Sequence, residues 1–303
     1  MNKWLIITMI IIASFNAISG EARFGERGHF WCGERFLPPM TNHFGANEEN
    51  IAVKGYIYVL AAALALQQNN DEGKAHWFTT PKRMEVINPP VTLPSGFKAI
   101  TFLIKPLDPS HEDEIVVAFT GSDQGIDWTR TNIMRSRSQF KDAENYILSL
   151  ARSMKIKDKK IIVTGISLGG GLAVYVTKND NTSKYIKQAW AINPSPVTFS
   201  NNDIDNRIWL VYAEGEVLSF VRKALWLTYL RGIGNIGAPY HHTGKDFTLV
   251  KSNSVYAHFR WVITREVLFV ADYAMTKRGT KLFETEPYNI LKRSSFEGVR
   301  NSV

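Results

Sequence analysis

An α/β fold is predicted, built on a mainly parallel sheet with helices on both faces, and three features of the chain carry that expectation. Short β-branched runs alternate with helical stretches through the middle of the sequence, the pattern of parallel strands joined by crossover helices. The run from Lys160 to Val176, KIIVTGISLGGGLAVYV, places a strand, a Gly-Ile-Ser-Leu-Gly turn and a small-residue helix in direct succession. No internal repeat or low-complexity linker interrupts the chain after its first residues, so residues 20 to 303 are expected to form a single domain.

The first residues, MNKWLIITMIIIASFNAISG, have the layout of an export signal: Lys3, an apolar run from Trp4 to Ala13, and a small-x-small site at Ala17-Ile18-Ser19. About 20 apolar residues are needed to span a bilayer and this run is shorter. Cleavage near Ser19/Gly20 is therefore expected, leaving a secreted or periplasmic protein, with an uncleaved membrane anchor as the alternative. Cys32 is the one cysteine, so no disulfide can form within the chain. A hydrophobic fraction of 45% with 21% charged residues is that of a globular chain, not a disordered one. The formal net charge of +8 suits attraction to an anionic membrane surface. With no zinc spacing, RNA-binding aromatic signature or Lys/Arg-rich tract, nucleic acid is not expected as a partner.

Residues 21 to 46, rich in Gly, Arg, Phe and Pro, have no sustained period and read as an irregular arm. A helix is expected from Glu48 to Gln68, capped by Asn47, with two glutamates in its first turn. It is apolar on all faces from Tyr56 to Leu66, which means burial on several sides. Residues 69 to 96 read as a polar, proline-containing connection. Phe97–Ile104 and Glu114–Phe119, separated by DPSHED, read as an antiparallel pair at a sheet edge. A basic loop over 123 to 141 precedes a helix from Asp142 to Met154, and Lys160–Val163 leads into the Gly-Ile-Ser-Leu-Gly turn and a helix reaching Thr177. IKQAWAI (186 to 192) and IWLVYA (208 to 213) read as buried strands, and Val255–Met275 as a long amphipathic helix before a charged tail.

The turn at Ser167 has the form of a nucleophile elbow, the signature of an α/β-hydrolase-like sheet. Gly165 and Gly169 supply positions without Cβ, so strand and helix can approach closely. A serine hydroxyl is a poor nucleophile at neutral pH and needs a base, usually histidine, oriented by a carboxylate. In this fold the order along the chain is serine, acid, histidine. IWLVYA ends in Glu214-Gly215-Glu216, and either glutamate qualifies. His241, His242 and His258 follow. The first two precede an alternating run and could open an edge strand; His258 stands at a loop–helix junction, which suits a base better. Acyl transfer by such groups calls for no metal and no cofactor.

Several ordered pieces now resemble the class 3, fungal-lipase-like serine lipases and phospholipases. GISLGGGLA (165 to 173) resembles that family's GHSLGGALA, and FTGSDQGIDWTRTN (119 to 132) its FRGT-type strand end with a following DW…N segment. VYAEGEVLS (211 to 219) is similar to the strand that ends in the acid, YHHTGKDFTL (240 to 249) to a non-catalytic His-Val-Gly strand, and SVYAHFRWV (254 to 262) to the region of the catalytic histidine. The resemblance implies Ser167 as nucleophile, Glu216 as acid and His258 as base. It implies an oxyanion hole from the backbone N–H groups of Leu168 and Ser122, with Asp127 and Trp128 as buttresses. The departures are Ile166 in place of a histidine, glutamate in place of aspartate at 216, and Thr120 in place of an arginine. None removes a group the chemistry needs, although the longer side chain at 216 keeps Glu214 as an alternative acid.

Val217–Leu230 is apolar apart from Ser219, Arg222, Lys223 and Thr228, which suits a helix that lines an acyl pocket or touches a bilayer. The expected activity is hydrolysis of a carboxylic ester of a lipid, with phospholipid ahead of neutral lipid. The alternatives are a short-chain carboxylesterase and a non-catalytic lipid-binding protein.

Overall fold

The computed structural model describes residues 45–67, 76–120, 137–153, 159–195, 197–201, 203–213, 215–216, 218, 240–244, 258–281 and 283–296. The expected signal, Cys32, Ser122, Asp127, Trp128, Glu214 and nearly all of Val217–Leu230 lie outside them. The elements in order are α1 (Ala46–Ala65), β1 (His76–Trp77), β2 (Met84–Thr92), β3 (Lys98–Ile104), β4 (Glu114–Phe119), α2 (Arg137–Arg152), β5 (Ile161–Ile166), α3 (Leu168–Lys178), β6 (Ile186–Ile192), β7 (Asp205–Val211), β8 (Tyr240–Gly244), α4 (Arg260–Lys277), α5 (Glu286–Arg293) and β9 (Ser295–Phe296). Among the described residues β2 to β8 form a seven-stranded sheet in chain order, and β1 pairs with β9. β2, β3 and β4 are antiparallel; from β4 to β8 every pairing is parallel. The expected α/β-hydrolase-like architecture, a mainly parallel sheet covered on both faces, is the one observed.

Strand alternation sorts the core into two layers. Val116 and Ala118 of β4, Ile162 and Ile166 of β5, and Trp190 and Ile192 of β6 face α1 and α4. Ile115, Val117 and Phe119, Ile161 and Val163, and Ala189 and Ala191 face α2 and α3. All six residues of β5 are buried, as expected of a parallel strand covered on both sides. α1 is buried throughout Tyr56–Ala63. It is pinned to the sheet where the Thr164 hydroxyl donates to the Tyr58 carbonyl at 3.0 Å. The Tyr56 hydroxyl donates to Glu286 at 2.7 Å and the Tyr58 hydroxyl to Glu114 at 2.5 Å. Burial first, and the facing carboxylate second, push both hydroxyls well above the usual tyrosine range, so each remains a donor.

Several expectations are corrected. The helix cap is Gly45, with Asn47 inside α1, since the Glu49 N–H already bonds to the Gly45 carbonyl at 3.1 Å. The connection expected over 69 to 96 contains β2, a nine-residue strand with Pro89 and Pro90 at its register shifts. Proline is tolerated there because β2 is the outermost strand and need not donate outward. β3 and β4 consequently lie one and two strands in from the edge. α2 begins at Arg137, because Phe140 continues the buried stripe of Ala143, Ile147 and Leu150. α4 is not amphipathic: Arg265, Glu266 and Asp272 are buried with its apolar residues, and the Arg265 guanidinium sits 5.3 Å from the Trp261 ring centre. The charged tail holds α5 and β9. Thr285 caps α5 by accepting the Tyr288 N–H at 3.2 Å, and its hydroxyl donates to Asp272.

Candidate active site at the carboxyl ends of the parallel strands

The parallel strands end in register. Phe119 lies beside Gly165, Ile166 beside Ile192, Ile192 beside Val211, and Val211 beside Gly244. Ligands of open α/β sheets bind outside this end.

Ser167 stands between β5 and α3 at φ 58° and ψ −121°. Those angles mirror the corner of a type II turn, a conformation that L-residues avoid. A residue held there stores about 1–3 kcal/mol and persists only where its surroundings over-determine it. They do so here. The Ser167 N–H donates to the Ile192 carbonyl at 3.0 Å, and its carbonyl accepts from Gly171 at 3.2 Å and Ser195 at 2.8 Å. Ile192, Asn193 and Ser195 were not flagged by the sequence; their one signal is the Asn-Pro turn after an apolar strand.

The strand–helix contact is as close as glycine allows. A Cβ on Gly165 would stand 2.3 Å from the Gly169 carbonyl carbon, and one on Gly169 would stand 2.3 Å from the Phe119 carbonyl oxygen. Neither atom can retreat, because both belong to the backbone of packed elements. Gly169→Ala is expected to destabilise the protein by about 1–3 kcal/mol or more, read by chemical denaturation, and to lower activity by pushing α3 off β4. An unchanged midpoint would contradict this packing. Leu168 is the first residue of α3; an N–H at that position has no acceptor within the helix and lies at its positive end.

Beyond β7 the chain turns at Gly215, whose φ of +74° is costly for any residue with a Cβ. The turn carries Glu216 inward, fully buried, its N–H bonded to the Ala213 carbonyl at 3.3 Å. One Glu216 oxygen, Oε2, accepts the Leu218 N–H at 2.8 Å and lies 2.8 Å from His258 Nδ1. A carboxylate can only accept, so Nδ1 carries the hydrogen and Nε2 is left as the basic nitrogen. His258 precedes the N-cap of α4, Phe259, and keeps 13% of its side chain exposed. The pair is thus sealed at the acid and open at the imidazole.

The structure therefore brings Glu216 and His258 together beyond β7 and sets Ser167 and Leu168 beyond β5, at the same end of the sheet with β6 between them. His241 and His242 lie on β8, the far edge strand. A cavity of about 430 Å³ lined by Thr79, Lys82, Thr280, Asn289 and Arg293 lies elsewhere. It adjoins the start of β2, which through Met84, Ile104 and Glu114 aligns with the amino ends of the parallel strands, so it is not this site. Among the described residues no group of three or more His, Cys, Asp or Glu is placed to hold a metal ion.

A serine strained on a strand–helix corner, with a buried carboxylate paired to a partly open imidazole at the same sheet end, defines the class as an α/β-hydrolase-like protein. Residues 79–246 match the model of the phospholipase-like, Tle-like phospholipase domain family. That span is more than half of the chain, and the chain belongs to this family; it is a lipid ester hydrolase. Comparison with curated proteins finds no significant match. Among solved structures the chain is similar to the Lip2 lipase of Yarrowia lipolytica, with a TM-score of 0.40 and 12% identity over 67% of this chain and 81% of that one.

Proposed function

We propose that the protein is an exported phospholipase of the A type, working through Ser167, His258 and Glu216 and an acyl-enzyme. His258 Nε2 takes the Ser167 hydroxyl proton as Oγ attacks the ester carbonyl carbon. The N–H groups of Leu168 and Ser122 hold the oxyanion of the tetrahedral intermediate. When the intermediate collapses, the lysolipid alcohol leaves with the proton from His258. Water, deprotonated in turn by His258, attacks the acyl-enzyme; the fatty acid departs and Ser167 regains its proton. Glu216 holds the imidazole in the required tautomer and balances its charge.

The observation that carries this reading is the 2.8 Å pairing of a fully buried Glu216 with a partly open His258. An acid without access to water beside an imidazole with it is an arrangement suited to cycling a proton at Nε2. Support for Ser122 comes from Thr120, whose carbonyl carbon would lie 3.1 Å from a Cβ on Gly169; the chain thus leaves β4 against the start of α3. Support for phospholipid over neutral lipid comes from the family and from the net charge of +8, which favours an anionic membrane surface. The leader MNKWLIITMIIIASFNAISG supports export.

Product analysis tests the reading. The mature protein is given mixed phospholipid vesicles and triacylglycerol emulsion, with a p-nitrophenyl ester chain-length series alongside. Release of fatty acid and lysophospholipid from the vesicles is expected. Activity confined to short soluble esters would make it a carboxylesterase, and vesicle binding without hydrolysis a non-catalytic lipid-binding protein.

A further inference from the structure

We infer that Asn193 is a positioning residue that sets the acid against the nucleophile, an inference that rests on the reading of Ser167 and Glu216 above. The paired part of β6 and β7 ends at Ile192 and Val211. Asn193 carries the ladder one step further. Its N–H donates to the Val211 carbonyl at 2.9 Å, as a parallel strand requires. The return bond, from the Ala213 N–H, is taken at 3.1 Å by the Asn193 side-chain oxygen, in the place a backbone carbonyl would hold. Asn193 is fully buried and has φ +39°, a left-handed conformation that asparagine tolerates better than most residues.

Two chains of bonds meet at this residue. On one side, Ile192 accepts the Ser167 N–H and Ser195 donates to the Ser167 carbonyl, clamping the elbow. On the other, Ala213 accepts the N–H of Glu216, so the turn that presents the acid hangs from the bond to Asn193 Oδ1. The position needs a short side chain with an acceptor and tolerance of positive φ. Glycine supplies only the second; aspartate supplies both.

The test measures kcat and KM on p-nitrophenyl butyrate for Asn193→Gly and Asn193→Asp, alone and with Glu216→Gln. Asn193→Gly is expected to fold, to lose about tenfold or more in kcat through misplacement of the acid, and to keep KM within about twofold. In the Glu216→Gln background the same change is expected to cost less than about twofold, because its route of action is already gone. Asn193→Asp is expected to retain kcat within about threefold. Asn193→Gly at parental kcat, a loss carried by KM, or an equal loss in the Glu216→Gln background would overturn the inference. If Asn193→Gly does not fold, Asn193→Asp decides, a tenfold loss counting against it. A Glu216→Gln enzyme with parental kcat would instead overturn the assignment of the acid.

Discussion

Ser167→Ala is expected to lower kcat for ester hydrolysis by about 10⁵- to 10⁶-fold, the range seen when a serine nucleophile is removed, and to leave thermal stability unchanged. The second half follows from the backbone. Serine and alanine both carry a Cβ and bear the same strain at φ 58° and ψ −121°, so only the hydroxyl is lost. Ser167→Gly separates chemistry from strain. It is expected to be equally inactive yet more stable by about 1 kcal/mol, because glycine adopts that corner without penalty. Steady-state rates with a thermal or denaturant titration of both variants check this. A glycine variant less stable than wild type would show that the corner is not strained.

The second large effect is at Glu216. Glu216→Gln preserves shape and still offers an oxygen to the Leu218 N–H, so the fold is expected to survive. An amide can also donate to the imidazole, which favours the wrong tautomer and leaves the imidazolium without a counter-charge. A loss of about 10³- to 10⁴-fold in kcat is expected, as when a triad carboxylate becomes an amide. Glu214→Gln is the control and is expected to stay within about threefold of wild type. Equal and mild losses in the two variants would place the acid on another strand end.

How far the sequence revealed these features depended on what each residue does locally. The elbow was legible because its chemistry is local: β-branched residues before Ser167, glycines on either side and a small-residue helix after it. β4 and β5 were legible because strands buried on both faces are near-continuous apolar runs, and β6 and β7 because their carboxyl-terminal halves are. β2 was hidden by Pro89 and Pro90, which argue against a strand unless it is known to lie at the edge. The buried charges of α4 misled in the opposite way, since Arg265, Glu266 and Asp272 imply a solvated face where packing has covered all sides. Between Glu214 and Glu216 the residues themselves left the choice open. What brings Glu216 against His258 in the structure is the turn at Gly215, at positive φ, and a contact 42 positions along the chain. Asn193 could not be found from sequence, because its role is a bond between the ends of two strands.

The most direct measurement of the central claim is covalent capture of the nucleophile. The purified protein is treated with a long-chain alkyl phosphonate ester and digested, and the modified peptide is identified by mass spectrometry. One adduct is expected, on Ser167, with loss of phospholipid hydrolysis in step with labelling and no labelling of Ser167→Ala. An active enzyme that takes up no phosphonate, or takes it up on another residue, would contradict the account.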